Sequence, residues 1–164
     1  MLAAIESAIA ERLAPLRTTG IFTRALPNKP ADWGVDLANG VITLAWAKDE
    51  LQQPATTSQV IQRCNMVWRL DVRLKNLRDA SGCWAVLNEI TRLLLGFKPP
   101  HCDPLYLRSR EFLGELEGIW VCEVTFVAPT WVVEDSGETA ETPLTGVFVL
   151  DEFGGLDVGS AANL

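Results

Sequence analysis

The sequence is poor in the residues that most catalytic designs need. It has a single histidine, His101, which removes most serine–histidine, cysteine–histidine and multi-histidine metal designs unless partner chains contribute. It also lacks GxSxG, the nucleophile elbow, and GxxxxGK[ST], the phosphate cradle. No run of about 18 apolar residues occurs, and the opening "MLAAIESAIAERLAPL" carries Glu6 and Glu11 where a signal core would have to be uninterrupted. Neither a membrane span nor a signal peptide is therefore expected. No CxxC knuckle occurs either. The four cysteines, Cys64, Cys83, Cys102 and Cys122, are spaced 19, 19 and 20 apart, but their flanks RCNMV, GCWAV, HCDPL and VCEVT share nothing. The spacing is not a repeat, and four reduced thiols in a cytosolic compartment are expected.

A cationic excess is lacking too. The net charge is −7, and residues 130–164 account for all of it: Glu134, Asp135, Glu138, Glu141, Asp151, Glu152 and Asp157 stand there without a Lys or Arg. Residues 1–129 are balanced. This argues against a basic nucleic-acid-binding footprint and for a C-terminal segment that behaves separately.

What is present reads as one domain with a real core, since 164 residues with 48% hydrophobic content fall in the single-domain range. Leu2, Ile5, Ile9, Leu13 and Leu16 recur at helical spacing, so the pattern predicts a helix over 2–16, closed by Pro15 and Gly20. Ile21 to Leu26 could form a short strand. Val41 to Trp46 reads as a strand, and Val60 to Lys75 as a longer one. In the longer one Met66, Trp68, Leu70, Val72 and Leu74 point inward, and Arg69, Asp71, Arg73 and Lys75 point outward. Asp79 or Ser81 can cap a second helix with Trp84, Leu87, Ile90, Thr91 and Leu94 on one stripe, ending at Gly96. Leu105 to Leu113 and Ile119 to Ala128 flank "GELEG" as a hairpin, and Pro129 should end the last strand.

This order predicts an α+β two-layer domain over 1–129: a mainly antiparallel sheet of about four strands, two helices on one face, and an extended acidic arm over 130–164. Trp46, Trp68 and Trp120 share the inward register and Trp84 falls on the covering stripe, so four of the six tryptophans are expected in the core. Trp33 and Trp131 lie outside the expected elements and are candidates for packing on a neighbouring subunit. Val147, Phe148 and Val149, in "GVFVLDEF", could add a strand to something else.

Three features invite a chemical reading. "HCD" at His101–Asp103 could be a metal corner or an activated thiol, yet adjacent residues rarely aim at one point and no further ligand or base is placed by spacing. A polar loop beside a buried thiol is expected. Glu111, Glu115 and Glu117 could pair for acid and base work, but a solvated hairpin tip accounts for them. The charged face of 67–75 is either solvated or a contact surface, and its composition alone favours solvent.

The run "WRLDVRLKNLRDASGCWAVLNEITRLLLGFKP", followed by "LYLRSREFLGELEGIWVCEVTFVAPT", resembles the tail-terminator or tail-completion proteins of Mu-like contractile-tailed phages and prophages. The pattern is RDxxGxxxxLxxxxxLLxGF, then REFxGExEGxWxxxxxF, and with the opening helix it covers about residues 1–130. The segment after Pro129 departs from it in length and acidity. The resemblance implies a small α+β domain and a structural, non-enzymatic role. Six copies would form a ring on the end of the tail tube, stop its growth and present a docking surface to the head-side connector. It implies no cofactor or metal and no membrane. The partners would be other copies of the chain, the tube, the sheath and the connector, with DNA passing through without sequence-specific binding. The location would be the virion neck, after assembly in the host cytoplasm. In such a ring Arg69, Arg73, Lys75 and Arg78 are the candidates for contact with an acidic neighbour or the tube. The alternatives are another neck or tube-end protein of the same fold, a small cysteine- or carboxylate-dependent enzyme, and a soluble nucleic-acid-binding module.

Overall fold

Alternation in the sequence is realised as a five-stranded sheet in a computed structural model, which describes residues 1–27, 29, 39–54 and 60–134. The strands are β1 (Ile21–Ala25), β2 (Gly40–Leu51), β3 (Ile61–Leu74), β4 (Tyr106–Leu116) and β5 (Ile119–Val133). Their spatial order is β1-β2-β3-β5-β4. Only β1 and β2 run parallel; every other pair is antiparallel. The fold is α+β, with β1 making five strands of the expected four.

Two helices, α1 (Leu2–Arg12) and α2 (Cys83–Leu94), supply the second layer. Met66, Trp68, Leu70, Val72 and Leu74 of β3 pack under them with Ile5, Ile9, Ile90 and Phe126 in one core cluster. The expected first helix is shorter than its periodicity suggested, because Pro15 starts a 3-10 turn over Ala14–Thr19. Its apolar stripe survives the change from Ile5 onward, since Ile5, Ile9, Leu13 and Leu16 are buried, whereas Leu2 is exposed. Gly20, with φ of 77°, turns the chain into β1.

The second helix corrects two expectations. Neither Asp79 nor Ser81 is its N-cap. Gly82 holds that position, while Asp79 accepts hydrogen bonds from the Ser81 amide and hydroxyl one turn earlier. A Cβ at Gly82 would stand 2.6 Å from the Leu77 carbonyl carbon and 2.7 Å from the Arg78 amide nitrogen, so the backbone itself excludes a side chain there. The buried stripe is Cys83, Val86, Ile90, Leu93 and Leu94, rotated about one position from the one read off the sequence. Trp84 consequently faces out, 58% exposed.

Of the four tryptophans expected in the core, only Trp68 is fully buried. Trp46 stands at a register shift in β2, and its indole N–H donates to Asp49 at the surface. Trp120 is half-buried near the hairpin tip, 5.9 Å from the Phe112 ring.

The β4–β5 hairpin has a two-residue turn, Glu117 and Gly118, both at positive φ as a type I′ turn requires. Pro129 does not end β5, which continues to Val133. The Pro129 carbonyl accepts the Asp103 amide. Its nitrogen points to that same side, past the start of β4, where no ladder bond is lost.

The expectation of four thiols also fails at one pair. Cys83 and Cys122 are joined as a disulfide, because α2 lays its first residue over the middle of β5. Cys64 and Cys102 are free and buried.

Candidate functional site

Helices cover one face of the sheet; the other face carries the residues that the sequence singled out. On β3 the register sets Asp71 between Thr43 of β2 and Glu123 of β5, and Glu123 in turn opposite Glu111 of β4. Arg69 lies between Ala45 and Thr125, and Arg73 between Val41 and Val121. Side chains at these paired positions share the uncovered face.

This face is concave. Leu26, just after edge strand β1, and Leu113, on edge strand β4, line one concavity of about 290 Å³ together with Ala45, Arg69, Arg73 and Glu123 from the strands between. A long side-chain bridge also crosses this face. Arg108 of β4 reaches Glu50 of β2 at 2.8 Å, although β3 and β5 lie between them and three strand steps span about 14 Å on a flat sheet. Val67 and Val127, paired with each other on the strands between, are buried. The Arg108 guanidinium, helped by Lys48, holds the Glu50 carboxyl below its usual range.

Inside the concavity the charges are matched. Arg73 Nε lies 2.9 Å from Asp71 Oδ2, and Arg69 Nε lies 3.8 Å from Glu123 Oε2. The two arginines that the sequence offered as free contacts therefore meet carboxylates of their own chain. Lys75 follows the last residue of β3, and Arg78 stands on the loop before α2; both are exposed and have no ion pair among the described residues. Arg78 is off the sheet face.

Trp131 is half-exposed near the end of β5, with the Arg63 guanidinium 5.6 Å above its ring. It belongs to a strand, not to the irregular segment expected. Trp33, Val147, Phe148 and Val149 lie outside the described residues, as does the expected arm from residue 135 onward.

The chemical candidates do not converge. His101 is exposed at a φ of 61°, whereas Cys102 is buried. Burial pushes the Cys102 thiol above its usual range, and only the Thr130 hydroxyl acts against this. A catalytic thiol needs the opposite shift. Glu115 accepts the Gly118 amide within the hairpin turn, Glu117 forms that turn, and Glu111 faces Glu123 across the ladder. The described residues hold no cluster of three His, Cys, Asp or Glu able to bind a metal, and no helix among them is long and apolar enough to cross a membrane.

Sequence reasoning missed Glu123 and the edge residues Phe22, Leu26 and Leu113. They become members of one surface only through register.

Among solved structures, 23 chains match this fold. One belongs to the "virion of native gene transfer agent (GTA) particle": its TM-score is 0.53, its identity 15%, and the match covers 80% of this chain and 97% of that one. No curated protein matches the sequence significantly. A family model for the Gp37 protein matches residues 9–149. That match passes the end of β5 and takes in Val147, Phe148 and Val149, so part of the segment that departed from the expected pattern is family sequence. With most of its length matched, the chain belongs to the Gp37 protein family.

Proposed function

We propose that this protein is a structural, non-enzymatic component of a phage-type particle, and more narrowly that it closes the end of a tail tube as a ring of copies. The observation that carries the reading is the likeness in fold to a chain of a gene transfer agent virion, nearly all of which is covered. The surface supports it. Trp84, Phe112, Leu113, Leu116 and Trp131 are about half exposed or more, and so many large apolar groups suit a chain that is covered by neighbours. In the ring, Arg69 and Arg73 with their carboxylate partners set register, and Lys75 and Arg78 meet an acidic neighbour or the tube. The domain proper, which includes β5 to Val133, is followed by an acidic arm, shorter at its start than the 130–164 expected from sequence, in which Val147, Phe148 and Val149 engage another component.

Particles made without this protein should carry tails of unregulated length that fail to join heads, as seen by negative-stain electron microscopy. Tails of normal length, joined normally, would overturn the reading.

A further inference from the structure

The two edges of the sheet differ in a complementary way. Edge strand β4 has a ladder on one side only. Its other side makes no backbone hydrogen bond among the described residues within Tyr106–Leu116. Leu113 is 53% exposed and Leu116 58%, so this is an edge that a free monomer would normally protect. Glu111 sits there directly opposite Glu123, with Asp71 next in the same row. Like charges facing each other across a ladder are destabilising. Arg69 and Arg73 answer Glu123 and Asp71, but Glu111 has no ion pair among the described residues. The β4 edge thus asks for a cation flanked by apolar groups.

The opposite edge of the same chain has that pattern. Phe22, Arg24 and Leu26 alternate onto the uncovered face, and Phe22 and Leu26 are each about half exposed. Arg24 lies in the same row as Glu111, through Thr43, Asp71 and Glu123. The strand directions also fit, because β1 runs antiparallel to β4. A head-to-tail step that extends the sheet therefore makes an ordinary antiparallel pair.

The geometry points to pairing of the β4 edge with the β1 edge of a second copy, in the register that sets Glu111 against Arg24 of the partner subunit and Leu113 against Phe22 of the partner subunit. The contact is heterologous, so repeated steps close into a ring or run on as a filament. The inference rests on the ring reading above and names the surfaces that would build it.

Sedimentation of the purified full chain tests both. The wild type should have the mass of a closed assembly. Glu111→Arg should reduce it to a monomer with an unchanged circular dichroism spectrum, and so should Arg24→Glu, with the exposed-site variant Phe22→Asp as a second block of the same edge. A mixture of Glu111→Arg and Phe22→Asp proteins should give dimers and nothing larger, since each retains the one edge that the other has lost. A wild-type ring that Glu111→Arg and Phe22→Asp both leave intact would overturn the edge pairing while the ring reading stands. A wild type that stays monomeric at high concentration would overturn both.

Discussion

Two faces of one strand carry the main contrast in this molecule. On β3, Met66, Trp68, Leu70, Val72 and Leu74 are buried to within 1% of complete, while Arg69, Asp71 and Arg73 on the alternate positions keep between about a quarter and a half of their side chains in water. The covered face is set by apolar area and close packing. The open face is set by charge matching around small residues such as Thr43 and Ala45. The first should govern whether the chain folds, and the second what the folded chain meets.

The sharpest way to break this contrast is to remove a large group from the covered face. Phe126 is fully buried on β5, opposite Trp68. Phe126→Ala should cost about 3–5 kcal/mol, combining lost burial with a residual cavity. Urea unfolding of the two proteins would measure it. A loss below about 1 kcal/mol would mean that the helix layer is loosely packed and the two faces differ less than their burial indicates.

A medium effect is expected where α2 is seated. Gly82 is crowded by backbone, whereas Gly114 on the β4 edge, at φ of 111°, has nothing within 4 Å of the position a Cβ would take. Gly82→Ala should destabilise by about 1–3 kcal/mol through overpacking against Leu77 and Arg78. Thermal unfolding checks this, and an unperturbed melting temperature would show that the loop before α2 yields freely.

The contrast between the faces also explains what could be read from sequence. The alternation of β3 was legible because its two faces differ in chemistry at every step. That of β2 was read from Ile42, Leu44 and Trp46, and it holds for Ile42 and Leu44, which pair with Val72 and Leu70 of the covered face, although Val41, Thr43 and Ala45 on the alternate positions are buried as well and give no polar contrast. Trp46 keeps its place opposite Trp68 in the register but is 44% exposed, with its indole N–H donating to Asp49; inward register alone does not secure burial at the end of the covered stretch. The rotation of the α2 stripe came from treating Trp84 as apolar enough to define a face. Of the charge pairs, Asp71 with Arg73 follows from a spacing of two along one strand. Arg69 with Glu123, and Arg108 with Glu50, depend on the order in which the strands assemble.

The smallest effect belongs to the open face itself. Arg69 and Arg73 are partly exposed and paired at 3.8 Å and 2.9 Å, and such pairs contribute about 0–1 kcal/mol each, less as salt rises. Arg69→Ala with Arg73→Ala should therefore shift urea stability by no more than about 2 kcal/mol in low salt, and by less in high salt. If the face is a contact surface, Arg69→Glu with Arg73→Glu should impair assembly far more than it impairs folding, because reversal sets four carboxylates around the concavity where a partner would have to desolvate them. A reversal variant that assembles normally would return this face to the role of solvated surface, leaving the sheet edges and the exposed aromatic groups as the remaining sites of contact.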